Sequence, residues 1–103
     1  MTPPALDAVA AFLAEVLGAD AFPPEERGGV FRPGDGRPVR RLGVALEPWP
    51  GLAGWAERGR LDAVFLHRPW RLAEGALAEG VGVLWALAAF ALTLFLQRYI
   101  KGT

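Results

Sequence analysis

Apolar positions along this chain fall in clusters separated by glycine, proline and charge, and the spacing inside each cluster predicts its element. In Ala5–Leu17 (ALDAVAAFLAEVL), Leu6, Val9, Phe12, Leu13, Val16 and Leu17 recur at helical intervals and share one face. Thr2 is the expected cap, Pro3 and Pro4 fill a first turn where a missing N–H costs nothing, and Gly18 ends the helix. Such a helix covers a core in its simplest role; binding a partner is the alternative. From Ala19 to Pro38 the chain is rich in Gly, Pro and charge, which predicts surface turns with at most one short strand at Val30 and Phe31. Its glycines do not form a phosphate-binding loop, because no G-x-x-x-x-G-K-[ST] run is present.

Val39–Leu46 is apolar enough for a buried strand, closed by Glu47, Pro48 and Pro50. A short helix follows, with Leu52, Trp55 and Ala56 inside, Glu57 and Arg58 outside, and Gly59 as its stop. Next, Asp62 opens a second buried strand that runs to Leu66. Strand, helix and strand within about 28 residues make a βαβ unit with parallel strands and a right-handed crossover. Trp70 to Glu79 reads as helix or loop. The fold class is therefore α/β, a βαβ-based parallel or mixed sheet with flanking helices.

Parallel pairing gives the strand ends their interest, since open α/β sheets hold ligands beyond the carboxyl ends of their strands. The second strand ends at His67, the only histidine, followed by Arg68, Pro69, Trp70 and Arg71. Glu47 ends the neighbouring strand at the same edge, so Glu47 and His67 are the candidate metal ligands. Arg68, Arg71 and Trp70 are candidates for binding a phosphate-containing small molecule, with Trp70 as a stacking surface for a base or sugar. The structural alternative has His67 and Arg68 bonded to loop backbone, Trp70 in the core and the arginines solvated.

Composition narrows the choices. With 103 residues the chain is one domain or part of one. Eleven basic residues balance 11 acidic ones, which disfavours nucleic acid as a partner. No cysteine is present, so disulfides, thiolate nucleophiles and thiolate-held metals are excluded. Nucleophilic catalysis has little support either, because serine is absent too and Thr2, Thr93 and Thr103 have no evident base nearby. Pro3, Pro4 and Asp7 interrupt any signal-peptide pattern, and a cytoplasmic location is expected.

The segment Gly80–Gln97 holds 18 residues without a charge and supports two readings. Val81–Trp85 fits a third buried strand leading into a helix, since parallel strands covered on both faces read as continuous apolar runs. As one helix, the whole run would span about 27 Å and cross a membrane once, with Trp85, Arg98, Tyr99 and Lys101 as interfacial anchors. The expected division is accordingly an α/β part over 1–79 and an apolar tail over 80–103.

Several of these stretches together resemble the Nif-three-like family, dinuclear metal-binding proteins known as homologs of type-two GTP cyclohydrolase I. The likeness begins at ALDAVAAFLAEVL and continues through GGVF, where the family has a Gly-Leu-hydrophobic strand. VRRLGVALEP is similar to the family's first long strand, which ends in Asp-hydrophobic-Thr, and LDAVFLHRPW to its hallmark, an acidic residue, four apolar or small residues and His-His-Pro. GVGVLWALAAF is similar to the strand that leads into a His and, four residues later, an Asp. Separately, LTLFLQRYIKG resembles the closing stretch of sugar-transporter permeases of the ABC class, where a last membrane helix runs into Gln-Arg-Tyr, which points to a composite or frameshifted origin for the tail.

The family resemblance implies two divalent ions, of the zinc, iron or manganese class, held by the paired histidines, the later His and Asp, and a His and Glu far beyond this chain's length. Here His67 keeps the first position, Arg68 takes the second, and Leu87 and Ala91 stand where the later His and Asp would be. Neither a guanidinium nor an alkyl group ligates a metal. The chain is thus expected to be a truncated member with its dinuclear site not retained, acting as a binding or assembly module and forming a homo-oligomer. A single-pass membrane protein and a metal-dependent hydrolase completed by another subunit are the alternatives.

Overall fold

The computed structural model describes residues 2–73 and 75–86 of the chain. Two helices, α1 (Leu6–Val16) and α2 (Leu52–Arg58), accompany four strands, β1 (Gly29–Arg32), β2 (Leu42–Ala45), β3 (Ala63–Leu66) and β4 (Gly82–Trp85). The strands form one mixed sheet in the order β1-β4-β3-β2. β2 pairs with β3 in parallel, and β3 with β4, while β1 is antiparallel to β4. The α/β class and the βαβ unit β2-α2-β3 therefore stand as the sequence predicts.

Alternation of side chains along the strands divides the core in two. Ala63 and Phe65 of β3 join Leu84 and Ala86 on the face that α1 covers, while Val64 and Leu66 join Val83 on the face covered by α2 and the 72–81 segment. All four residues of β3 are buried, as expected for an inner parallel strand. Gly43 in β2 lets α2 come close, because a Cβ there would lie 2.6 Å from the Trp55 ring.

Differences from the expected elements have local causes. α1 starts at Leu6 and not behind Thr2: Ala5 is extended, and the Pro4 carbonyl accepts from Val39 N at 2.8 Å, so the prolines run as extended chain. On α1 the core-facing stripe is Leu6, Val9, Ala10, Leu13 and Leu17, whereas Phe12 and Val16 are 62% and 57% exposed. Those two lie on the flank of the stripe, over which no described element reaches. The Gly/Pro-rich segment gives β1, whose close approach to β4 depends on Gly28: its φ is +79°, and a Cβ would run into the Trp85 carbonyl.

Gly82 to Trp85 form a strand inside the sheet, which realises the strand reading of that stretch. Among the described residues no helix is long and apolar enough to cross a membrane. Residues 70–73 and 75–79 are turn and loop, with one 3-10 turn at Pro69–Arg71 and with Leu72 and Leu77 buried as plugs of the α2-side core.

Candidate functional site

The registers Ala45↔Leu66 and Leu66↔Trp85 bring three strand ends to one edge. Backbone bonds continue just past it, from His67 N to the Ala45 carbonyl (3.3 Å) and from Arg68 N to the Leu46 carbonyl (2.9 Å). Glu47, next after Leu46, thus stands at the strand end adjoining His67, as parallel pairing requires.

His67 is buried, 4% exposed, and its Nδ1 lies 3.0 Å from the Ala86 carbonyl oxygen. A carbonyl only accepts, so Nδ1 carries the proton and Nε2 the lone pair. Burial pushes the imidazole below its ordinary pKa, with a smaller push from the Arg68 charge and an opposing pull from the Ala86 hydrogen bond. The ring is therefore neutral at neutral pH. Its partner went unrecognised in the sequence, although the strand reading of Val81–Trp85 contains the signal: one residue past each strand, 67 and 86 are neighbours.

Around this point, Arg68, Trp70 and Arg71 are exposed. Trp70 is 55% exposed and not a core residue, and it meets Trp85 nearly perpendicularly, with ring centroids 6.0 Å apart. Trp85 is the last residue of β4 and half-buried. Arg98, Tyr99 and Lys101, the other anchor candidates, lie outside the described residues, as do Leu87 and Ala91.

The acidic residue of the LDAVFLHRPW motif sits at the opposite edge. Asp62 Oδ2 accepts from Arg40 N (2.8 Å) and Arg41 N (3.1 Å), fastening the start of β2 to the start of β3. Nearby, the Arg37 guanidinium binds Asp35 through both carboxylate oxygens and holds that carboxyl at about 2.

Among the described residues, the carboxyl edge brings together few groups able to ligate a metal. His67 supplies one imidazole and Glu47 one carboxylate, Arg68 cannot ligate, and among the described residues no group of three or more His, Asp or Glu could hold a metal. The edge thus carries a buried imidazole, the Glu47 carboxylate and the exposed residues Arg68, Trp70 and Arg71.

The fold is that of a small mixed-sheet α/β domain. No family model and no curated protein matches the sequence. Among solved structures, the chain is similar to one from structural genomics described as protein ybgI, unknown function, with a TM-score of 0.62 and 17% identity over 84% of this chain. At that identity the likeness concerns the fold, and the chain spans 39% of the length of the other.

Proposed function

We propose that the chain is a Nif-three-like α/β domain that works as a binding or assembly module, with the carboxyl edge of its sheet as the ligand-facing side and no dinuclear metal centre of its own. The observation that carries this reading is the parallel register that sets Glu47 and His67 at adjoining strand ends, with an arginine where a second imidazole would be needed. The fold likeness to the longer ybgI chain supports it. Exposed Phe12, Val16, Val30 and Phe31 on α1 and β1 support association with further copies of the chain.

Metal content is the test. Tag-free full chain is incubated with zinc, ferrous or manganous ions, desalted and analysed by plasma emission; well under one ion per chain is expected, and two per chain would overturn the reading. Light scattering of the same sample should give a multiple of 11.1 kDa, and a clean monomer would remove the assembly part.

One observation favours a second reading, a metal-dependent hydrolase completed by another subunit. An imidazole whose Nδ1–H is held by a carbonyl is oriented as metal-binding histidines commonly are. On that reading metal binds only to the oligomer, and His67→Ala releases it without changing the mass.

A further inference from the structure

We infer that the cavity between β1 and the 72–81 segment is a binding site for a small apolar zwitterion, of the short apolar peptide class, with Arg32 taking its carboxylate and Glu79 its ammonium group. The site lies on the α2 face of the sheet toward the start of β4, and it needs nothing from the reading of the carboxyl edge.

The cavity follows from how little covers this face. α2 has 7 residues and packs over β2 and β3, whereas β1 is added beyond β4 at the far end of the sheet. The gap left there measures about 730 Å³. Small-ligand sites commonly enclose roughly 300–1,000 Å³. Its apolar lining comes from Leu77, Val81 and Val83, all buried, and its charged lining from Arg32 and Glu79. Gly34 completes the wall at a φ of +67°, where a Cβ would lie 2.6 Å from the Gly80 carbonyl oxygen, so no side chain narrows the opening at that point. Asp35 N donates to the same carbonyl at 3.2 Å and ties the turn after β1 to the approach of β4.

Charge decides the ligand. The pairing of β1 with β4 shifts register between Val30 and Arg32, which sets Arg32 opposite Val83 and on the cavity's side of the sheet. Its Nη2 donates to the Leu72 carbonyl at 3.2 Å, which fastens the half-buried guanidinium to the facing segment and uses one of its several donors. Glu79, on that segment, is exposed. Among the described residues neither Arg32 nor Glu79 takes part in an ion pair. Arg37, which reaches Gly80, is already closed on Asp35. One cation and one anion thus line a single cavity without neutralising each other. A ligand of one charge is attracted by one group and repelled by the other, whereas a zwitterion gains from both. A phosphate fits badly for that reason, and the apolar lining calls for an aliphatic body between the two charges.

Titration of the full chain with leucyl-leucine, followed in its amide proton–nitrogen spectrum, tests this. Shifts should concentrate at Gly34, Gly75 and Val83, with a Kd of about 1 mM. N-acetyl-leucyl-leucine and leucyl-leucinamide each lack one charge and should bind about five- to tenfold more weakly. Arg32→Gln keeps a donor for the Leu72 carbonyl and should erase the preference for the acid over the amide, while Glu79→Gln should erase the preference for the free over the acetylated amine. Unchanged circular dichroism certifies each variant's fold. No shifts at millimolar dipeptide, shifts centred on His67 to Arg71, or binding indifferent to either blocking group would overturn the proposal. Metal content and particle mass report separately, so a chain that binds no dipeptide loses this site and leaves the reading of the domain standing.

Discussion

The His67 ring is held neutral inside the edge it serves, and this makes stability depend on pH. Its pKa in the folded chain lies below the ordinary 6.5, so the unfolded chain binds the proton more tightly. The contribution is complete above that ordinary value and is lost as the pH falls through it toward the lower folded pKa. The urea midpoint should therefore drop between pH 7 and pH 5. In His67→Gln, whose amide can still donate to the Ala86 carbonyl and does not titrate, that part of the drop should vanish. A second residue acts through space alone: Gly28→Ala puts a methyl against the Trp85 carbonyl at a positive φ, and chemical denaturation should show a loss of about 2–4 kcal/mol.

Among the elements, β2, α2 and β3 were legible because apolar runs bounded by Pro48, Pro50 and Gly59 leave little choice of period or length. α1 was legible as a helix, though not in its orientation. Six apolar residues compete for one stripe, and only tertiary packing selects Leu6, Leu13 and Leu17 over Phe12 and Val16. The difference is measurable: Leu6→Ala should cost about 2–4 kcal/mol, whereas Phe12→Ala should stay within about 0.5 kcal/mol in urea titrations at low protein concentration. β1 was expected as no more than a short strand because the Gly/Pro-rich segment around it looks like turns; its place beside β4 comes from a backbone approach that composition does not display.

In the whole molecule, β4 lies between β1 and β3, so its end completes the candidate site by presenting the Ala86 carbonyl to His67 and the Trp85 ring to Trp70. The sequence named His67, Glu47, Arg68, Trp70 and Arg71 and their shared edge, because parallel βαβ pairing fixes which ends adjoin. It did not connect them with Ala86, since two readings of Gly80–Gln97 stood side by side and only one of them makes a strand neighbour. Asp62, next to the apolar run that ends at His67, turned out to fasten the far edge. We propose that this edge presents one neutral imidazole and no dinuclear metal centre of its own. With a single histidine in the chain, a two-bond proton–nitrogen correlation spectrum reads one ring without ambiguity. At pH 7 the spectrum should show a protonated Nδ1 and an Nε2 that carries no proton, unchanged by two equivalents of zinc. A proton on Nε2, or a stoichiometric shift of the ring nitrogens on adding zinc, would contradict it.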